Sequence, residues 1–258
     1  MSERKTTKGT AAAAAPVIDV PRCLAVLAGK GKEAGLALTQ EQLDQFGIYY
    51  EKLIETNARL NLTALTSPED VAVKHFIDSL LAYDPQLMQP GTALIDVGTG
   101  AGFPGLPLKL YAPGLKVTLL DSLEKRLRFL DDVLAATHVK GIRLVHGRAE
   151  DGGRDPEHRG RYDIAVSRAV AKLSVLAEYC LPFVKRGGYF VALKGSRYEE
   201  EIAGAQHALA VLGGKLAAAR PVHLPGLDDG RAVVVIRKVK DTPAAYPRKA
   251  GLPSKKPL

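Results

Sequence analysis

Apolar residues recur at helical spacing early in the chain and in short, strand-length runs after it. Leu43, Phe46, Tyr50, Leu53 and Ile54 fall on one face of a helix. Thr39-Gln40-Glu41-Gln42 precedes them with the spacing of a capping box. A second helical face, Val73, Phe76, Ile77, Leu80 and Leu81, follows Ser67-Pro68-Glu69-Asp70. There proline takes the tolerated first position and the acids sit at the positive end of the helix dipole. Pro90-Gly91 then marks a boundary. Beyond it, strands are expected at Ala93–Val97, Lys116–Leu120, Ile142–Val145, Asp163–Val166 and Tyr189–Leu193, with helices such as Leu123–Ala136 between them. Strands alternating with helices predict a parallel sheet covered on both faces. Two further apolar segments, Lys215–Leu224 and Arg231–Arg237, follow a helix around Glu199–Leu212 and close the sheet as a hairpin. The expectation is an α/β, Rossmann-like fold with a mostly parallel seven-stranded sheet and an N-terminal helical unit.

Composition narrows the class. The 258 residues are 46% hydrophobic and 25% charged, enough for one sizeable α/β domain and an appendage. No apolar run approaches the roughly 20 residues a membrane span needs. Residues 1–38 are expected to form a disordered extension, with an alanine tract at Ala11–Ala15 and no apolar core for export. Residues 39–90 form the helical unit, 91–240 the α/β domain and 241–258 a basic tail. Cys23 and Cys180, the only cysteines, read as free buried thiols in a reducing, cytoplasmic setting, not as metal ligands. The net charge is +8, and residues 237–258 carry most of it, with seven bases against Asp241. Such a tail suits an anionic partner, nucleic acid foremost, or serves as a solubilising end.

The candidate chemistry begins at Ala93-Leu94-Ile95-Asp96-Val97-Gly98-Thr99-Gly100-Ala101-Gly102-Phe103-Pro104-Gly105. A strand that breaks into glycines brings backbone N–H groups close to a nucleotide-like ligand. Two registers are open. Gly100 to Gly105 fits a dinucleotide GxGxxG pattern, in which a helix N-terminus meets a pyrophosphate. Asp96 to Gly102 instead places an acid ahead of the first glycine and suits the cationic methyl donor S-adenosylmethionine. Asp121, ending the second strand, is placed to accept ribose hydroxyls, with Ser122 as the helix cap. Gly147-Arg148-Ala149-Glu150-Asp151 is placed to read an adenine edge. Arg168, at the end of the fourth strand in Ser167-Arg168-Ala169, faces the crevice, for an anion or for a salt bridge to Asp96 or Glu150. His75, Asp78 and Ser79 share a polar helix face, read as a hydrogen-bonded joint in preference to a catalytic face. Lys125, Arg126 and Arg128 form a basic helix face open to phosphate or simply to solvent.

These segments, together with Asn61-Leu62-Thr63, His75-Phe76-Ile77-Asp78-Ser79-Leu80, Leu193-Lys194-Gly195 and Tyr246-Pro247-Arg248-Lys249-Ala250-Gly251-Leu252-Pro253, closely resemble the GidB/RsmG family. The likeness runs in order from about residue 40 to the end. It implies a class I methyltransferase that uses S-adenosylmethionine to methylate N7 of a guanosine in the 530 loop of 16S rRNA. The partner it implies is 16S rRNA, the small ribosomal subunit or its assembly intermediate. Cofactor contacts are expected at Asp96, Gly98, Gly100, Phe103, Asp121, Ser122, Leu123, Ala149, Glu150 and Arg168. RNA contacts are expected at Arg197, Arg248 and Lys249, with Pro247, Pro253 and Pro257 holding the tail extended. Arg168 or Arg197 is the expected donor to guanine O6. Guanine N7 carries a lone pair and no proton, so neither a general base nor a metal is expected. A monomer with no membrane attachment completes the reading. The alternatives are another RNA or protein acceptor, a non-catalytic ribosome-associated RNA-binding protein, and an NAD-dependent oxidoreductase.

Overall fold

The computed structural model describes residues 18–168 and 171–258. The Ala11–Ala15 tract and Ala169 therefore lie outside the described residues. Seven strands form one sheet: β1 (Ala93–Val97), β2 (Lys116–Asp121), β3 (Ile142–His146), β4 (Tyr162–Ser167), β5 (Val184–Lys194), β6 (Gly214–Val222) and β7 (Arg231–Lys238). Their order is β3-β2-β1-β4-β5-β7-β6. The first five are parallel, and β7 runs antiparallel to both β5 and β6. The order reverses on either side of β1, the switch point at which open α/β sheets bind ligands. Asp96 pairs with Leu119 and Val166, and Asp121 with His146. The carboxyl ends of β1 to β4 are thus level and make one continuous edge.

Each face of the sheet buries its own core. One holds Leu94, Leu106, Leu119, Leu130 and Phe129 together with the N-terminal helices. The other holds Ile95, Ala165, Leu173, Leu176, Phe183 and Phe190. This is the alternation of strand side chains expressed on both sides of a covered sheet.

The N-terminal extension departs from expectation. Helix α1 (Val20–Glu33) is capped by Asp19, whose Oδ1 accepts from the Arg22 N–H at 2.9 Å. It buries Cys23 and Leu27 against α2 (Gln40–Leu60) and the helical run that follows. The expectation of disorder rested on the alanine tract upstream, whereas Val20–Glu33 carries an apolar run of its own, Cys23 to Ala28, which becomes ordered by burial against its neighbours. The capping box of α2 forms as expected, with Thr39 and Gln42 bonded reciprocally. The next helical run begins at Pro68, passes through a π segment (Val71–Ile77) and ends at Leu80. Single π turns inside helices commonly occur at functional sites. The helix expected around Glu199–Leu212 is divided at Ala205 into Tyr198–Gly204 and Gln206–Leu212. No helix among the described residues is long and apolar enough to cross a membrane.

Candidate active site

The glycine loop resolves its two registers by packing. Gly98, Gly100 and Gly102 have φ of 75°, 62° and 104°, conformations that disfavour any residue with a Cβ. A Cβ on Gly98 or Gly100 would meet nothing within 4 Å. One on Gly102 would lie 2.5 Å from Tyr49 Oη and 2.8 Å from Leu130 Cδ2, and one on Gly105 would lie 2.6 Å from Leu119 Cδ2. The glycines that face open space are therefore Gly98 and Gly100. Gly102 and Gly105 serve close packing. A dinucleotide register needs Gly102 against the pyrophosphate, and Tyr49 and Leu130 occupy that side.

Two carboxylates hold the loop. Asp96 is fully buried. Its Oδ2 accepts from Thr99 Oγ1 at 2.7 Å and from the Gly105 N–H at 2.8 Å, while its Oδ1 has no partner. Burial pushes its pKa up to about 6, against the pull of those two donors. Asp121 is also buried. Its Oδ2 accepts from the Gly100 N–H at 2.8 Å and its Oδ1 from the Leu123 N–H at 2.9 Å. Asp121 thereby caps its own turn. Ser122 is exposed and makes no cap bond, and the helix Glu124–Thr137 starts from Leu123 without a side-chain cap. Arg126 reaches Asp121 at 3.4 Å, whereas Arg128 pairs with Glu124 at 2.9 Å, so the basic residues of this helix do not act as one face.

A cleft of about 330 Å³ opens over the ends of β1, β2 and β3, floored by Gly98, Asp121, Ser122, Ala149 and Glu150. The open space above the Gly98 backbone and the orphaned Asp96 Oδ1 beneath the loop fit a nucleoside ligand with a cationic end. Leu123 sits at the corner with 41% of its surface exposed. Two expected ligand contacts, Phe103 and Arg168, do not line this cleft. Phe103 is buried, stacked between Tyr49 at 5.4 Å and His75 at 4.5 Å. Glu150 lines the cleft but accepts from the Gly251 N–H at 2.8 Å. Arg168 forms no direct ion pair with Asp96 or Glu150; its partners lie on the helical unit.

Arg168 is the centre of the joint between sheet and helical unit. Its Nη1 donates to Asp78 Oδ2 at 2.9 Å and to the Lys74 carbonyl at 3.0 Å, and its Nη2 to His75 Nδ1 at 3.1 Å. Its guanidinium also lies over the Phe103 ring. Arg168 can only donate, so His75 Nδ1 accepts, and His75 Nε2–H donates to Thr63 Oγ1 at 2.7 Å. Burial, reinforced by the Arg168 charge, pushes the His75 pKa down to about 3. The imidazole is neutral with both nitrogens engaged. Asp78 also accepts from Arg231 Nη1 at 3.0 Å. His75 and Asp78 thus form the joint read from their spacing, whereas Ser79 bonds only to the His75 carbonyl of its own helix.

A second cleft, of about 450 Å³, adjoins this joint at the ends of β4 and β5, lined by Lys74, Arg168, Gly195, Arg197, Glu201 and Arg231 among others. Lys194 is buried here, 2.7 Å from Glu201 Oε2. Arg197 is exposed on its rim.

The tail is docked, not extended. Arg248 makes three side-chain contacts to the carboxylate of Glu178, the shortest 2.6 Å, and its N–H donates to Glu178 Oε1 at 2.8 Å. Its guanidinium is therefore committed to the buried Glu178 carboxylate, while Lys249 remains exposed. Glu178, Tyr179, Arg231, Gly251 and Ser254 were not legible as site residues. Glu178 carried one signal: a lone acid in the apolar run Leu173–Cys180, which burial obliges to find a cationic partner.

A seven-stranded, mostly parallel sheet with an antiparallel β7, and a glycine loop opening at the end of β1, define a class I, Rossmann-like methyltransferase that uses S-adenosylmethionine. Fibrillarin, a pre-rRNA processing protein of Methanococcus jannaschii, shares the fold with a TM-score of 0.50 and 16% identity over 64% of this chain and 74% of its own. A family model described as rRNA small subunit methyltransferase G matches residues 42–225. Ribosomal RNA small subunit methyltransferase G of Alkaliphilus metalliredigens is 51% identical over 227 residues, 88% of this chain and 95% of its own. The protein of that name from Acetivibrio thermocellus is 52% identical over 87% of this chain and 92% of its own. The chain belongs to the rRNA small subunit methyltransferase G family.

Proposed function

We propose that this protein transfers a methyl group to N7 of a guanosine in the 530 loop of 16S rRNA, in the small subunit or its assembly intermediate, acting as a cytoplasmic monomer. The observation that carries the reading is the pairing of two adjoining clefts on one sheet edge. One is a glycine-floored nucleoside cleft and the other a basic cleft beside a neutral histidine with both ring nitrogens engaged.

Bound in the first cleft, S-adenosylmethionine supplies an electrophilic methyl on a sulfonium. Gly98 and Gly100 expose loop backbone there, and Asp96 beneath them supplies negative charge toward a cationic ligand. Asp121 holds the loop in shape through Gly100. Of the two arginines expected as donors to guanine O6, Arg197 is exposed on the rim of the second cleft, whereas Arg168 is committed to Asp78, His75 and Lys74. Nothing on the acceptor must be deprotonated, so the residues contribute alignment and water exclusion, worth about 7–11 kcal/mol in well-oriented cases. N7 lies on the Hoogsteen edge, so the base must be presented unstacked, from a loop or by flipping.

Radiolabelled-methyl S-adenosylmethionine and small subunits from cells lacking the gene provide the test. Label at N7 of one guanosine in the 530 loop is expected. Label elsewhere would replace the acceptor, and donor binding without any transfer would replace catalysis with RNA binding alone.

A further inference from the structure

The last 17 residues do more than end the chain. Arg159 Nη1 donates to the Tyr246 carbonyl at 2.8 Å and its Nη2 to the Thr242 carbonyl at 2.7 Å, and Arg154 Nε donates to the Pro247 carbonyl at 2.8 Å. Arg248 pairs with the buried Glu178. The Gly251 N–H donates to Glu150, and Ser254 Oγ and Tyr179 Oη are 2.8 Å apart. Gly251 has a φ of 78°, which turns the chain back along the protein surface, and Pro253 beyond it is buried. The final helical turn, Leu252–Lys255, packs on the helix Leu173–Cys180.

These tethers bring Gly251, Ser254 and Tyr179 to the wall of the nucleoside cleft, facing Gly98, Asp121 and Ala149. Tyr179 and the tail belong to the face of the sheet that carries the Leu173–Cys180 helix, opposite the face that carries the helical unit and Lys74 of the second cleft. The tail meets the cleft at its β3 end, where Ala149 and Glu150 lie.

We propose that residues 248–254 form the outer wall of the methyl-donor cleft, presenting the hydroxyls of Ser254 and Tyr179 to the purine-nucleoside end of the donor. The inference rests on the donor reading above and adds a donor contact from a segment beyond residues 42–225, whose charge alone suggested RNA. Two buried acids, Glu150 and Glu178, receive their backbone and guanidinium partners from this wall, so its position is specified and not incidental.

The test uses the full chain and S-adenosylhomocysteine and adenosine as calorimetric probes. Ser254→Trp places a bulky ring in the cleft, and a chain ending at Lys249 keeps the Arg248–Glu178 pair while removing the wall. Both are expected to weaken both probes at least about tenfold, while binding of a 530-loop RNA fragment is retained. Lys256→Trp, two residues on and exposed, is expected to bind all three ligands as wild type does. Melting of the ligand-free Ser254→Trp variant at the wild-type temperature would show that lost binding is not lost folding. Wild-type probe affinity in both variants would overturn the proposal, as would selective loss of RNA binding in the shortened chain. Absence of probe binding by the wild type would instead overturn the donor reading, and this wall with it.

Discussion

Asp78→Ala tests the joint that ties the helical unit to the sheet edge. Its carboxylate keeps 4% of its side-chain surface exposed and holds Arg168 at 2.9 Å and Arg231 at 3.0 Å, residues 90 and 153 positions away in the chain. Removing one partner of a buried ion pair costs roughly 3–5 kcal/mol, because a charge is left stranded. Two features favour the lower end. Arg168 and Arg231 are 18% and 28% exposed, so water reaches both, and Arg168 keeps its bonds to Lys74 and His75. The expected loss is about 3 kcal/mol in urea unfolding at neutral pH, or about 6–12 °C in Tm for a chain of this size. S-adenosylhomocysteine affinity should remain near wild type, since Asp78 lies outside the donor cleft, while methylation of the small subunit falls. In a double-mutant cycle with Arg168→Met, a coupling of about 1–3 kcal/mol is expected. A loss below about 1 kcal/mol, or strict additivity in the cycle, would refute the account of the joint as a coupled buried network.

His75→Gln should flatten the acid limb of the stability curve. The imidazole has a pKa of about 3 when folded against 6.5 for the unfolded chain. The unfolded chain therefore binds the extra proton, and the contribution of neutral His75 is complete above pH 6.5 and is lost as pH falls toward 3, approaching about 1.4 kcal/mol per pH unit. Asp96 acts with the opposite sign. Its folded value of about 6 exceeds the usual 3.8, so its contribution is present below pH 3.8 and is lost as pH rises through 6. A cationic ligand favours the ionised form, so S-adenosylmethionine affinity measured by calorimetry should fall between pH 7 and pH 5, and Asp96→Asn should remove that dependence. Gly105→Ala, whose Cβ would lie 2.8 Å from Asp96 Cβ, should destabilise by several kcal/mol in chemical unfolding. Gly98→Ala, with open space at its φ of 75°, should cost only about 1–2 kcal/mol yet reduce donor affinity. Arg197→Ala should leave Tm unchanged and lower rRNA affinity, with a shallower salt dependence by about one charge if Arg197 meets a phosphate.

Much of the fold was legible because its signals are local. Short apolar runs alternating with helical, period-3.6 segments located the five parallel strands and the closing hairpin, and glycines after Val97 marked the ligand end of β1. The polar joint was also legible in outline, since three polar residues on an otherwise apolar helix require partners. Its membership was not. Arg168 was read as facing a ligand, with Asp96 or Glu150 as its alternative partners, and the partner it found was Asp78, from an element 90 residues earlier. Likewise Ser122 carried the propensity of a cap, but the Asp121 carboxylate reached the Leu123 N–H first.

The amino-acid sequence by itself determined the α/β class and the strand that delivers the glycine loop, because these follow from apolar patterning and from the φ values that favour glycine. Tertiary structure alone decided which glycines face open space and which pack, since a Cβ on Gly100 would meet nothing whereas one on Gly102 would meet Tyr49 and Leu130. It also ordered α1, whose apolar face is buried against α2 and the helical run from Pro68 to Leu80. And it turned a basic tail into a wall of the donor cleft, because Glu178 and Glu150, buried by other elements, draw Arg248 and Gly251 to positions no local pattern encodes.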